Sequence, residues 1–255
     1  ETPSASGVIE LVGSYAYVSA GTLSIVDTAD PANAVQGQSL PTASVVYNLA
    51  LNDSHAYLAN YGAGLTPVKV SPVGTMVSND PVATPGPAYD VQLAGGIAYV
   101  AIESAGVALV DLEYDPQPSV IASIATRDRA LGGISVAGSY AYVADYGAGL
   151  TILDVSDACG PTLVANVDIG QRASGVAVRG SLAYVAGVDE IAVIDIGDPT
   201  NPQVTNYIDG VAGPLTVHGS FIYVAEEAGL AVVDVTDEAQ PMVHGPVPTA
   251  FRIRN

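Results

Sequence analysis

Several residue types are scarce in this sequence of 255 residues, and each shortage narrows the possible functions. Tryptophan is absent, cysteine occurs once, and 7 Lys and Arg residues stand against 26 Asp and Glu. The single cysteine, Cys159, excludes an internal disulfide framework and leaves an unpaired thiol or an intermolecular disulfide. The formal net charge of -19 argues against nucleic acid and anionic membranes as partners, because both attract clustered Lys and Arg.

Catalytic and cofactor-binding motifs are also missing. The three histidines, His55, His218 and His244, occupy different positions of their repeats, and no GxSxG motif accompanies them. No Cys and His cluster has the spacing of a zinc site, and neither a phosphate loop nor a dinucleotide fingerprint is present. The sequence therefore predicts a protein that is not an enzyme and has no cofactor.

The chain also lacks an apolar run of the roughly 18 residues that a transmembrane helix needs, so we expect no membrane insertion. It begins "ETPSASG" without Met, which suggests a processed product whose signal peptide has been removed. We therefore expect an extracellular or cell-surface protein. Asn52 begins the sequon "NDS" and is a candidate for N-glycosylation.

What the sequence does contain is a repeat of 39 to 43 residues. A tyrosine after Ala or Ile recurs in phase, and an Asp follows it ten to twelve residues later in every repeat but the second, which has Lys69. The tyrosines are Tyr17, Tyr57, Tyr99, Tyr142, Tyr184 and Tyr223. The repeats fall near residues 7–44, 45–86, 87–129, 130–171, 172–210 and 211–247, and residues 249–255 are left over.

Each repeat contains four predicted strands. Apolar residues alternate before each tyrosine, as at Ile9 and Leu11, and period-two alternation indicates a strand with one buried face. "AYVA" forms a second strand, and Gly-rich and Asp/Pro turns separate it from two more. Four strands in about 40 residues are typical of a β-propeller blade. We predict an all-β, single-domain propeller over residues 1–255, with six blades favoured and seven as the alternative.

The segments "GLTILDVSD", "GVALVDLEYD", "IAVIDIGD" and "GLAVVDVTD" resemble the LVIVD-repeat family. These β-propeller repeats occur in bacterial and archaeal secreted or cell-surface proteins. The resemblance extends over essentially the whole chain and implies a propeller fold and an extracellular location. The family offers no catalytic motif to transfer.

Two irregularities suggest assembly contacts. The tail "TAFRIRN" fits the template of the first strand, with Phe251, Arg252 and Ile253 at its centre, although the first blade already has such a strand. The tail could begin a seventh blade, cap its own ring or pair with a neighbouring molecule. Pro67 and Lys69 alter the second blade, through drift or for a contact.

Loops between the second and third strands are predicted to share one face with the loops that join successive blades, and this rim is the candidate site. Its acids, tyrosines and arginines could hold a cation, a glycan or a partner loop, and the alternative is an acidic face that only contacts solvent. Calcium at this rim is the one metal option left open. The rim residues are Asn60, Tyr61, Glu103, Asp145, Tyr146, Asp189, Glu190, Glu226, Glu227, Arg127, Asp128, Arg129 and Arg172.

Three functions fit these features. The first is a non-enzymatic binding or structural module with protein partners, including a self-assembling subunit of a fibre or coat. The second is a lectin-like or adhesive module for glycans or cations. The third is a polysaccharide lyase or hydrolase that uses carboxylates of the rim.

Overall fold

The computed structural model describes residues 8–19, 21–71, 74–113, 117–226, 228–238 and 240–247. These residues form six four-stranded antiparallel sheets, which confirms the predicted β-propeller of six blades. The one helix in these ranges is a 3-10 turn, Pro31–Asn33. None of the described segments forms a helix with the length and apolarity needed to cross a membrane. Phe251, Arg252 and Ile253 lie outside the described residues.

Contacts divide the chain into two compact units, Glu1–Ser123 and Ile124–Asn255. The single-domain organisation stays a prediction. Unit 1 carries blades 1 to 3, whose strands follow one another in sequence within each sheet. Their strands are β1 (Val8–Val12), β2 (Tyr15–Ser19), β3 (Thr22–Asp27), β4 (Val35–Pro41), β5 (Asn48–Leu51), β6 (His55–Ala59), β7 (Leu65–Val70), β8 (Met76–Ser78), β9 (Asp90–Ala94), β10 (Ile97–Ile102), β11 (Gly106–Asp111) and β12 (Ser119–Ile124).

Unit 2 carries blades 4 to 6 with the same sequential strand order. Their strands are β13 (Ile134–Ala137), β14 (Tyr140–Ala144), β15 (Leu150–Asp154), β16 (Thr162–Val167), β17 (Gly175–Arg179), β18 (Leu182–Ala186), β19 (Glu190–Asp195), β20 (Gln203–Asp209), β21 (Leu215–His218), β22 (Phe221–Glu226), β23 (Gly229–Asp234) and β24 (Met242–Val247).

The repeated alanine and tyrosine of the second strands build the cores between neighbouring blades. Small alanines such as Ala56 and Ala183 let the sheets approach closely, and the tyrosine rings fill the space beside them. Five of the six repeat tyrosines are buried, and Tyr223 is half-buried. The tyrosine repeat is therefore a core feature.

Blade 1 differs from this pattern at its first strand. Val8 packs into the core between blades 1 and 2, so the alternation of β1 turns Ile9 and Leu11 to the opposite side. Their side chains are 62% and 65% exposed, so the expectation that this pair is buried is wrong.

Blade 2 has a short fourth strand because of Pro67. β8 has three residues, and its pairing with β7 stops at Val68, next to the proline. Pro67 has no N–H to donate to a longer partner strand, and its carbonyl instead accepts a hydrogen bond from Asn79 N (2.9 Å).

Candidate functional site

Three hairpins between second and third strands share an unusual backbone. Tyr61, Glu103 and Tyr146 take equivalent positions in blades 2, 3 and 4, with φ of 37°, 31° and 32°. A residue with a side chain pays about 1–2 kcal/mol in this left-handed region, so glycine is its usual occupant. Three bulky residues at one strained position mark these hairpins as candidates for function.

The hairpins of Tyr61 and Tyr146 each end in a glycine that the packing requires. A Cβ on Gly64 would lie 2.4 Å from the Val82 carbonyl oxygen, and one on Gly149 would lie 2.2 Å from that of Val167. Both glycines also have positive φ, 78° and 79°. The hairpins are therefore fixed tightly against the chain segments beside them.

Within each unit the hairpins touch the loop that leads into the next blade. The Tyr61 carbonyl accepts a hydrogen bond from Ala88 N (2.9 Å), and the Tyr146 carbonyl accepts one from Ala173 N (2.7 Å). These contacts join blade 2 to blade 3 and blade 4 to blade 5. Hairpin and inter-blade loops thus share a surface in each unit, as the sequence suggested.

Asp145 differs from its predicted place on an exposed rim, because it is fully buried. Its carboxylate accepts hydrogen bonds from Thr126 Oγ1 (2.9 Å), Thr151 Oγ1 (2.8 Å) and the backbone N–H groups of Arg127 (2.8 Å) and Asp128 (3.1 Å). Asp145 therefore holds the loop before blade 4 in place and presents no free oxygen to a ligand.

Blades 2 and 3 have other residues at the hairpin position that Asp145 takes in blade 4. Asn60 is buried in blade 2, where Oδ1 accepts from Ser44 N (3.0 Å) and Nδ2 donates to Thr66 Oγ1 (3.1 Å). Blade 3 has an apolar pair instead, Ile102 and Ala108, both buried. A polar residue at this hairpin position is thus accompanied by a threonine six positions later, to which it is hydrogen-bonded. This pairing is present in the sequence and could have shown that the polar residue bonds within the protein.

In unit 1, Tyr61 lies in a cluster of three tyrosines. Its ring centroid is 5.8 Å from that of Tyr47 and 5.7 Å from that of Tyr89, and Tyr47 and Tyr89 are 4.6 Å apart. Tyr47 and Tyr61 are 36% and 38% exposed. Burial, followed by the nearby charge of Glu103, raises the pKa of Tyr89 to about 12.

Tyr47 and Tyr89 are absent from the predicted rim, whose residues come from the loops between second and third strands and from the loops that lead into blades 4 and 5. Each lies directly before a first strand and is followed by a polar residue, Asn48 or Asp90. Asn48 Nδ2 donates a hydrogen bond to Asp90 Oδ1, which links the two strand starts. The shared pattern "YNL" and "YDV" is the signal that could have identified the pair.

In unit 2, Tyr146 has arginines as neighbours. The guanidinium carbons of Arg129 and Arg172 lie 4.4 Å and 5.1 Å from its ring centroid. Both are cation–π contacts. Arg127 is exposed on the same loop as Arg129.

Other predicted rim acids have local partners. Glu226 Oε1 accepts a hydrogen bond from Ala212 N (3.4 Å), and Glu190 Oε1 accepts one from Gln171 Nε2. Asp128 Oδ2 accepts from Gly147 N (2.9 Å). Glu227 lies outside the described residues.

After the third strand of blade 4, two aspartates three residues apart accept hydrogen bonds in turns. Asp154 Oδ1 accepts from Ser156 N and Asp157 Oδ1 accepts from Cys159 N, at 2.9 Å and 3.0 Å. The hydrogen bonds to Ser156 lower the pKa of Asp154. Within the described ranges, no group of three or more His, Cys, Asp or Glu side chains is placed to hold a metal ion.

The remaining predicted residues lie apart from these hairpins. Lys69 is exposed on β7 opposite His55, and burial followed by the Lys69 charge lowers the pKa of His55. Cys159 is an exposed free thiol. Asn52 is exposed, and its Oδ1 accepts from Ser54 N (3.0 Å) and His55 N (2.8 Å).

Known structures share the fold at low sequence identity. A crystal structure of a protein from Lactobacillus plantarum superposes with a TM-score of 0.81 and 14% identity, over 96% of this chain and 86% of that one. A functionally unknown protein from Desulfotomaculum acetoxidans superposes with a TM-score of 0.70 and 15% identity, over 94% of this chain and 90% of that one. The computationally designed Ika8 protein superposes with a TM-score of 0.61 and 12% identity, over 96% of this chain and 88% of that one.

The sequence comparisons agree with the expected family. No protein of curated function matches the chain. The family model described as the LVIVD repeat matches residues 5–40, 85–124, 129–169, 170–208 and 209–249, and the second blade, with Pro67 and Lys69, falls between two matches. Because these matches cover well over half of the sequence, the chain belongs to the LVIVD-repeat family.

Proposed function

We propose that this protein is a non-enzymatic binding module of the cell exterior, and that it binds a glycan on the cluster of Tyr47, Tyr61 and Tyr89. The observation that supports this most strongly is the exposure of the cluster. Tyr47 and Tyr61 leave more than a third of their surface open, although five of the six repeat tyrosines are buried. A cluster made only for packing would be covered.

The chemistry around the cluster suits a sugar. Aromatic rings give an amphipathic surface for the apolar faces of a pyranose, and their hydroxyl groups can bond to sugar hydroxyls. Asn48 follows Tyr47, and Glu103 is close enough to Tyr89 to affect its pKa. Aromatic surface with a few convergent polar groups is the usual composition of a ligand site.

The non-enzymatic assignment is supported by the state of Asp145. It is the most enclosed carboxylate of the predicted rim, and four donors surround its oxygens. A general base must lie within hydrogen-bond reach of the proton that it abstracts, and the oxygens of Asp145 are enclosed by these donors instead. The strong negative charge and the family resemblance support the proposed extracellular or cell-surface location.

Native affinity electrophoresis in gels that contain β-glucan, xylan or mannan tests the glycan site. We expect one polysaccharide to retard the full chain, and the double variant Tyr47→Ala/Tyr89→Ala to migrate freely. Tyr207→Ala is the matched control, because Tyr207 is exposed on β20 outside the cluster. Circular dichroism confirms folding of each variant. Equal retardation of the double variant, or no retardation of the full chain in any gel, would refute the site.

Self-assembly is a second candidate function, favoured by the exposed Ile9 and Leu11 of the edge strand β1. Exposed apolar edge strands favour pairing with another chain. The tail with Phe251, Arg252 and Ile253 is the proposed pairing segment, and Lys69 is a further proposed contact. Light scattering and electron microscopy of the full chain and of a chain ending at Val247 test this, since only the full chain should form large particles.

A further inference from the structure

Positive charge is concentrated around one hairpin of this acidic protein. Of the seven basic residues in the sequence, Arg127, Arg129 and Arg172 lie on loops beside Tyr146 in unit 2. The chain has 26 carboxylate side chains that could have neutralised them. The position of these three bases therefore needs an explanation.

The two arginines on the ring are close to each other. Their guanidinium carbons are 4.4 Å and 5.1 Å from one centroid, so they are separated by less than the Debye length of about 10 Å at 0.1 M salt. Like charges at this range repel. The attraction of each guanidinium to the electron-rich ring of Tyr146 offsets part of the repulsion.

The described residues give these arginines little carboxylate pairing. The contact of Arg129 Nε with Asp128 Oδ1 is 3.9 Å long, and the side chains are 42% and 40% exposed. No ion pair of Arg172 occurs within the described part of the chain. By contrast, Arg179 forms a close ion pair, in which its Nη1 lies 2.9 Å from Glu238 Oε1. Arg129 and Arg172 thus keep donors available for a ligand.

The loop that carries Arg129 is held rigidly. Buried Asp145 accepts hydrogen bonds from the backbone of Arg127 and Asp128, and Asp128 in turn accepts one from Gly147. The guanidinium of Arg129 is therefore presented by a loop with a fixed backbone, and little ordering would be required on binding.

From this geometry we infer that Arg129 and Arg172, supported by Tyr146, form a binding site for an isolated carboxylate group, for which glucuronate serves as the probe. Guanidinium groups match a carboxylate through paired N–H donors. The net charge of -19 repels extended polyanions, so an isolated carboxylate on an otherwise uncharged ligand fits better than a polymer with a charge on every unit. This inference uses none of the tyrosines of unit 1, so it can fail or succeed independently of the glycan site proposed at Tyr47, Tyr61 and Tyr89.

Titration of the full chain with free glucuronate, followed by NMR of the arginine Nε–H groups, tests the site. We expect saturable shifts of the Arg129 and Arg172 signals and none with glucose at equal concentration. Arg172→Lys keeps the charge but removes the planar fork, so binding should weaken about tenfold. Arg179→Gln is the control, because it removes an arginine of the same unit that pairs with Glu238; its binding should be unchanged.

Inorganic sulfate and acetate complete the experiment. Acetate that competes with glucuronate supports recognition through the carboxylate. Sulfate that binds while glucuronate does not would overturn the assignment, as would glucuronate shifts that persist unchanged in Arg172→Lys.

Discussion

The hairpins of Tyr61 and Tyr146 have nearly the same sequence, "NYGAG" and "DYGAG", and the same tyrosine with a left-handed backbone. The side chains that contact the two tyrosines are nevertheless different. Tyr61 packs with two tyrosines, whereas Tyr146 packs with two arginines. The scaffold that fixes the tyrosine is therefore separable from the residues that would contact a ligand. Those residues come from the loops between blades, which vary from blade to blade.

Beneath the tyrosines, the two hairpins also differ in one buried residue. Asp145 has donors from the loop before blade 4 and from Thr151, whereas Asn60 bonds to Ser44 N and Thr66. The arginine-bearing loop of unit 2 is thus fixed by a charged group, and the loop before blade 2 is fixed by a neutral one. This difference suggests the prediction with the largest effect.

Replacement of Asp145 by alanine should lower the free energy of unfolding by about 3 kcal/mol, because several buried donors lose their acceptor. Asn60→Ala should cost about 1 kcal/mol, since fewer hydrogen bonds are lost. Asp145→Asn, which copies the blade 2 residue, should fall between them. Urea unfolding of the full-length variants measures all three, and equal losses for Asp145→Ala and Asn60→Ala would contradict the comparison.

A smaller effect is expected at high pH from the tyrosine cluster. The pKa of Tyr89 is raised to about 12, so its neutral form is favoured in the folded state. The stability linked to this shift is fully present below the ordinary tyrosine pKa of about 10 and is lost as the pH rises through 12. Tyr89→Phe should therefore flatten the fall in melting temperature between about pH 10 and 12.

Tyr207→Phe is the control for that measurement, because Tyr207 lies on β20, outside the cluster. It should reproduce the alkaline decline of the unmodified chain. If Tyr89→Phe declines as steeply as the control, Tyr89 is not the residue that links the cluster to alkaline stability.

The sequence predicts the architecture well because a blade is defined by local patterns. Tyrosine spacing predicts the six blades, and Pro67 indicates an irregular second blade, which the short β8 bears out. Prediction is poorer for Ile9 and Leu11, since their burial depends on what packs against β1 and not on the alternation within it.

Candidate site residues are harder to predict, because their roles depend on contacts between loops distant in sequence. In the sequence, Asp145 resembles any exposed acid of a loop. Its burial follows from hydrogen-bond donors 17 to 19 residues earlier and from Thr151. Arg129, Arg172 and Tyr146 are visible in the sequence as rim residues. Their stacking is visible only once blades 4 and 5 are placed side by side.

The smallest predicted effect tests whether the third hairpin has the same strain without an aromatic ring. Glu103 has φ of 31°, where a side chain costs about 1–2 kcal/mol and glycine costs nothing sterically. Glycine also loses about 0.5–1 kcal/mol of backbone entropy on folding, so Glu103→Gly should stabilise the chain by about 0.5 kcal/mol.

Ser104→Gly is the matched control, since Ser104 is the adjacent exposed residue and does not have a positive φ. It should destabilise the chain by about 0.5–1 kcal/mol, because glycine there adds entropy to the unfolded state without relieving strain. Opposite signs for the two variants in urea unfolding would show that the left-handed backbone is imposed by the hairpin. Two losses of equal size would mean that Glu103 makes contacts that compensate for its strain.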